Sequence, residues 1–280
     1  MKTFRFIGMA LLAVVMCANF MACSSDDEEP TKNDDGIITN QKRLVELTET
    51  NGHDTNTWSF SYDSKGRLIS IVEKDYDSSN SDITNITWGE NTITESSDGE
   101  SITYSLTDGL IRTGSETDGT NYSFAYNSSK QLTTYQYSDK YDSNSITLTW
   151  ENGKVTKTAY EDDEPSQITY SNQTCKGYFP LMALMVEDDF KVMLAHPELI
   201  GMRVTQLPSQ INSKDDYEEN KDELTYTFNK DGYVESSTVV NTRIYTNPSQ
   251  DLNGDGIITD DEKGTQNTDT STTTYTFKWE

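Results

Sequence analysis

Residues 58–73 read W-S-F-S-Y-D-S-K-G-R-L-I-S-I-V-E, and the grammar of this stretch recurs along the chain. Trp58, Phe60 and Tyr62 alternate with serines, and a turn follows at residues 63–66. A period of two puts the three rings on one face of a strand. Ile102, Tyr104 and Leu106 precede Asp108-Gly109 in the same way, and Tyr122, Phe124 and Tyr126 precede residues 127–130. Ile146, Leu148 and Trp150 precede Asn152-Gly153, and Leu224, Tyr226 and Phe228 precede residues 229–232. Asp-Gly and Asn-Gly supply the positive φ angles that short hairpins need. The chain therefore predicts an all-β, mostly antiparallel fold assembled from hairpins.

Hairpins run almost without a break over residues 42–171, and residues 83–88, 92–96 and 168–170 fit the same strand pattern. Ser, Thr and charged residues fill the alternate positions, so one sheet face is apolar and aromatic and the other faces water. A membrane β-barrel also alternates, but its strands need about 9 to 11 residues and an unbroken lipid-facing band. These runs are mostly shorter, which favours a sheet in water. The apolar face needs a cover, and residues 178–201 supply one. Met182, Met185, Met193 and Met202 all fall in or beside that segment, Pro180 suits a first helical turn, and Pro197 ends the pattern. The expectation is a dozen or more strands curling into a curved sheet or barrel-like form around one short helical segment near residues 181–195. A Met-rich partner groove is the functional alternative to gap-filling in the core.

Aromatic hairpins with Y-D-x-x-G-R-L turns, then Phe179-Pro180-Leu181, then the run from Gly201 through Leu207-Pro208-Ser209 to Ile211, resemble a Bacteroidetes lipoprotein family of unknown function with a porin-like fold. The resemblance covers residues 42–280, and Met202-Arg203-Val204 departs from the Gly-Lys pair expected there. The hairpin unit is also similar to the YD repeats of wall-associated and toxin-shell proteins. Neither resemblance implies a catalytic residue.

Residues 1–22 carry Lys2 and Arg5 ahead of an uncharged apolar run, the layout of a secretory signal. Cys23 follows Phe20-Met21-Ala22, which resembles the bacterial lipobox and makes Cys23 the expected lipidation site. Asp26-Asp27-Glu28-Glu29 directly after it resembles the surface-export signal of Bacteroidetes lipoproteins, which implies an outer-membrane protein facing outward. Residues 23–40 read as an acidic flexible tether, and residues 41–280 as a single hairpin-array domain. Loss of Lys2 and Arg5 makes the formal charge of −25 more negative by two. Nucleic acid, anionic lipid headgroups and other polyanions are then poor partners, because the sequence holds no basic patch dense enough to offset that field, and cations are favoured small ones. Cys175 has no partner cysteine after Cys23 is modified, which excludes a disulfide framework.

Residues 251–262, D-L-N-G-D-G-I-I-T-D-D-E, match the twelve-residue EF-hand calcium loop. Asp251, Asn253 and Asp255 offer side-chain oxygens, Gly256 the sharp turn, Ile257 its carbonyl, Thr259 a water-mediated contact and Glu262 a bidentate carboxylate. Hard oxygen ligands select Ca²⁺ over softer-ligand metals. The flanks 247–250 and 263–265 are poor helix material, so the loop reads as a calcium insert between two strands. It is expected to be structural and weak, near the ~10⁻⁴ to 10⁻³ M of extracellular modules.

His53 and His196 are the only histidines, and neither lies in H-E-x-x-H; His196 beside Pro197 reads as a capping or surface group. G-x-S-x-G, a phosphate-binding glycine loop and Cys-x-x-Cys are absent from the sequence. Cys175 reads as a small apolar residue. A glycosidase-type carboxylate pair stays open, because its members need not be close in sequence. Trp58, Trp88, Trp150 and Trp279 suit either a glycan-stacking platform or the core, and their place on the apolar side of strands favours the core. The reading is a lipid-anchored, calcium-binding, non-catalytic surface protein for binding or display, with glycan as a possible ligand and a carbohydrate-active enzyme as the alternative.

Overall fold

A computed structural model describes residues 41–76, 81–160, 164–181, 191–214, 218–246 and 266–280. The chain divides into two units, Met1–Thr31 and Lys32–Glu280, and every described residue lies in the second. Among them are sixteen strands: β1 (Leu44–Asn51), β2 (Asp54–Tyr62), β3 (Leu68–Lys74), β4 (Asp82–Trp88), β5 (Thr92–Ser97), β6 (Glu100–Thr107), β7 (Leu110–Glu116) and β8 (Asn121–Tyr126). Then follow β9 (Leu132–Ser138), β10 (Ser143–Glu151), β11 (Lys154–Tyr160), β12 (Ser166–Thr174), β13 (Gln206–Lys214), β14 (Glu218–Phe228), β15 (Val234–Thr246) and β16 (Gln266–Trp279). Each strand pairs antiparallel with its neighbours in sequence, and β1 pairs with β16 from Leu44↔Trp279 to Asn51↔Thr273. The curved sheet closes into a barrel, which leaves no edge to protect.

Alternation decides which face turns inward. Trp58, Phe60, Leu68, Ile71, Ile86, Ile93, Tyr104, Phe124, Leu148 and Phe277 belong to one buried core, while Ser59, Ser61, Thr87, Thr94, Thr103 and Thr149 take the outer face. The last three strands run 11, 13 and 14 residues, longer than the short strands expected, and project beyond the others toward one end. That end collects the connections after the odd strands. The opposite end collects those after the even strands, together with residues 41–43, Glu280 and the β12–β13 crossover.

The Y-D-x-x-G-R-L turn is now legible atom by atom. Asp63 Oδ1 accepts hydrogen bonds from the Lys65 and Arg67 amides at 2.9 and 3.0 Å, so the side chain closes its own turn. Asn127 and Asn229 do the same for residues 129 and 131, and 231 and 233. Gly66 sits at φ +85°, a left-handed conformation that favours glycine. Asp98, Asp108 and Asn152 with their following glycines all take positive φ, as two-residue hairpins require.

A second device repeats with the hairpins. Near the end of five even-numbered strands, and midway along β12, a ring turns its polar tip to a carbonyl at the start of the preceding strand. Tyr62 donates to Leu44 O at 2.6 Å, Trp88 to Leu68 O at 2.7 Å and Trp150 to Leu132 O at 2.5 Å. Tyr170 donates to Val155 O at 2.9 Å, Trp279 to Val234 O at 2.7 Å, and Tyr126 to Ile111 O. Four of these rings carry a cation on their face: Arg43 over Tyr62, Arg67 over Trp88, Arg112 over Tyr126 and Lys154 over Tyr170, at 4.6 to 5.8 Å from the ring centroids. The tryptophans are thus spent on the wall and core, as their strand positions predict.

Candidate functional site

The β12–β13 crossover plugs the barrel at the end where the even strands finish. Phe179, Leu181, Val192, Met193, Leu199, Ile200, Met202 and Val204 from this segment join the core. Its described helical parts are α1 (Lys191–Ala195) and a 3₁₀ turn, Pro197–Ile200; residues 182–190, with Met182 and Met185, lie outside the described residues. Pro197 suits the first position of the turn, and Gly201 ends it at φ +68°. A β-carbon on Gly201 would lie 2.1 Å from the Lys130 carbonyl oxygen, so the plug approaches the wall backbone only through glycine.

Polar side chains on the inner face clamp this plug. Glu73 of β3 pairs with Lys191 Nζ at 2.5 Å, and Glu95 of β5 accepts the Val192 amide at 2.7 Å. His196 is 3% exposed, with Tyr62 and Trp88 edge-on to its ring at 5.8 and 6.0 Å. Its Nε2 accepts the Leu68 amide at 3.3 Å, which leaves the proton on Nδ1 to be donated to Glu198 Oε1 at 3.1 Å. His196 is neither the surface group nor the side-chain cap expected from its place beside Pro197. Apolar walls bury it, and both ring nitrogens are spent on holding the plug, an arrangement with no nitrogen left for general base chemistry.

The other end of the barrel is polar inside. Asn241 donates to Asp222 at 2.7 Å across β14 and β15, and Arg243 pairs with Glu218, which also accepts from Asn220 at 2.9 Å. A recess of about 230 Å³ opens where β11 and β12 pair over only two residues; Tyr160, Glu164, Ser166, Lys214, Glu218 and Asn220 help to line it. Hydroxyl, amide and carboxylate groups beside one half-exposed ring form a surface for a small polar ligand.

The calcium-loop residues Asp251, Asn253, Asp255, Ile257, Thr259 and Glu262 lie outside the described residues, as does Cys23. Their flanks are described: β15 and β16 stay in register up to Thr246↔Gln266, so the loop joins the two longest strands at the polar end. Among the described residues no cluster of three His, Cys, Asp or Glu side chains is placed to hold a metal. His53 is exposed in the β1–β2 turn. Cys175 is half-buried against the core, and its thiol, pushed up to about 12 mainly by burial, faces Thr205 O at 3.5 Å; this is a poor nucleophile.

Sequence reasoning passed over Glu73, Glu95 and Glu116. Each falls in phase with the apolar face, two residues after Ile71, Ile93 and Gly114. A carboxylate in the apolar phase of a strand is the signal that was there to find, because an inward charge is kept only when it has a partner.

Neither a protein-family model nor a curated protein matches this sequence. Among solved structures, the chain is similar to a porin-like protein from Bacteroides uniformis, with a TM-score of 0.63 at 19% identity over 85% of this chain and 98% of that one. That likeness bears out the porin-like fold expected from the sequence. A weaker match, to a TcdB2-TccC3-Cdc42 complex, has a TM-score of 0.27 at 12% identity, covering 68% of this chain and 13% of that one.

Proposed function

We propose that this protein is a non-catalytic barrel for binding or display at the outer cell surface, lipid-anchored at Cys23 and braced by Ca²⁺ at residues 251–262. The observation that carries the reading is the polarity of the wall. Serines and threonines face outward and the apolar residues face a plugged interior, whereas a lipid-spanning barrel carries an apolar band outside. Such a wall belongs in water, so residence at a membrane needs a separate anchor, and Cys23 after an apolar leader fits that need. Buried His196 and Glu95 and half-buried Glu73 are engaged in holding the plug, which supports a scaffold. Any glycan contact falls to the polar end and its loops, since the tips of Trp88, Trp150 and Trp279 are bonded to the wall and Trp58 is buried in the core.

A carbohydrate-active enzyme is the second reading. It draws on Glu164 and Glu218 lining one recess beside Tyr160. Release of new reducing ends from an oligosaccharide, lost in Glu164→Gln, would favour it over the module.

Calorimetric titration with CaCl₂ tests the calcium part, run beside an Asp255→Ala, Glu262→Ala variant with melts in parallel. The expected result is one ion per chain, lost in the variant, with a melting temperature that rises with free calcium by mass action. An absence of heat and of any melting shift at millimolar calcium would remove calcium from the proposal.

A further inference from the structure

Composition alone argues against any anionic partner, because cations are outnumbered and scattered along the sequence. The fold gathers them. Antiparallel closure brings the start of each odd strand to the plug end, and Arg43, Arg67, Arg112 and Lys154 sit there, each over a ring. Turns at the same end add exposed Lys130 and Lys230. Of the acids there, Asp63 and Asp231 are ion-paired with Arg67 and Lys42, and Glu90, Asp108, Glu151 and Glu280 are exposed. The opposite end is acidic: Asp98, Asp118, Asp139, Asp142 and Glu164 are exposed in its described connections, with Lys140 as the cation among them. The barrel therefore has a charge polarity along its axis that the linear sequence hides.

We infer that the plug end is a docking face for the phosphate-bearing headgroups of an anionic lipid surface. Two observations favour this occupant. Guanidinium and ammonium groups held over rings at the starts of the odd strands gather cations at one end of the barrel, where a plane of phosphates would meet them, and each is worth roughly a fivefold gain in partition at such a surface. The chain also leaves the barrel at this end, where Arg43 exchanges backbone hydrogen bonds with Glu280, so an attachment upstream draws this face and not the acidic one to the membrane. The inference deepens the surface-display reading and rests on it for the presence of a membrane, but the contact itself does not need the acyl group. It sets the barrel upright, with the recess and the paired ends of β15 and β16 at Thr246 and Gln266 directed away from the lipid.

The barrel closes through β1 and β16 and holds its own core, so residues 24–280 are the chain to test, without the leader or the lipid. Flotation with phosphatidylcholine vesicles, and with vesicles enriched in phosphatidylglycerol, is measured at low and raised salt. Binding to the anionic vesicles alone, weakened by salt as the Debye length shrinks, is expected. An Arg112→Gln, Lys130→Gln, Lys154→Gln, Lys230→Gln variant that melts like the parent should lose most of that binding. A Lys74→Gln, Lys140→Gln, Lys157→Gln variant should keep it. Binding that is absent, or equally sensitive to both variants, overturns the proposal. So does binding that appears only when residues 24–40 are removed, which would assign the rim to the acidic tether. Mass analysis of Cys23 in the membrane fraction tests anchoring separately: an unmodified Cys23 would fail the display reading while leaving the vesicle result to stand.

Discussion

Removing a hydroxyl from the ring-tip girdle should cost the barrel stability one hairpin at a time. Tyr62→Phe deletes the donor to Leu44 O, and Tyr170→Phe the donor to Val155 O, while both rings stay to fill their places in the wall. A hydrogen bond of this kind is worth about 1 kcal/mol net, and more if its acceptor, on buried Leu44 or Val155, is stranded. The two tyrosines lie on β2 and β12, in separate hairpins without a shared partner, so their effects should add to about 2 kcal/mol. Unfolding about 240 residues releases roughly 0.5 kcal/mol per kelvin at the midpoint, which converts the double loss into a fall of about 4 °C in Tm. Tyr141→Phe is the control, because Tyr141 is 82% exposed at a loop tip and should change stability by less than about 0.5 kcal/mol. Urea unfolding followed by tryptophan fluorescence gives the free energies, and calorimetry gives Tm. A double variant indistinguishable from the Tyr141→Phe control would refute the girdle as a source of stability.

Two further predictions test the interior. Burial pushes Tyr170 up to about 12, and raises Tyr62, Tyr104, Tyr126 and Tyr226 further still. The folded state keeps these phenols neutral, so their contribution is whole below the ordinary tyrosine value near ~10 and is lost as pH climbs beyond it, at about 1.4 kcal/mol per pH unit for each ring. Phenolate absorbance should therefore rise in step with loss of the β circular dichroism signal; a smooth titration near pH ~10 with the barrel intact would contradict the burial. Gly114→Ala should destabilise by roughly 1 to 3 kcal/mol, because the new methyl would lie 3.0 Å from the Tyr104 ring and 3.2 Å from that of Tyr122, which close over the glycine from both sides. A variant as stable as the parent would show that the two rings yield at little cost.

What could be read in advance was whatever depends on neighbours in sequence. Alternation at Trp58, Phe60 and Tyr62 announces a strand and its buried face, and Asp108-Gly109 announces its turn, because both signals are local. Closure was not legible, since pairing of β1 with β16 joins Leu44 to Trp279 across nearly the whole domain. The full length of β14–β16 was also missed, because Ser and Thr fill much of residues 267–276 and an inward Asp269 or Ser271 at a polar end looks like a loop. His196 was misplaced for a related reason. Its partner Leu68 stands 128 positions away, and nothing in the residues beside it indicates a wall on the other side.

The wall and the plug together restrict what a barrel of this kind can do. In a porin the solvent runs through the middle and lipid lies outside; here Phe179, Leu181 and Ile200 fill one mouth, and Thr94, Thr103 and Thr149 face outward. A shared barrel geometry with a porin-like protein is therefore compatible with an opposite relation to the membrane, because strand order is set by hairpin connectivity while the side facing water is set by the phase of alternation. A one-residue change of phase would turn the wall inside out. With the phase found here, insertion would bury hydroxyls in hydrocarbon and expose Trp58, Phe60 and Tyr104 to the lumen. The free energy of the core and the polarity of the surface both favour a barrel whose wall stands in water.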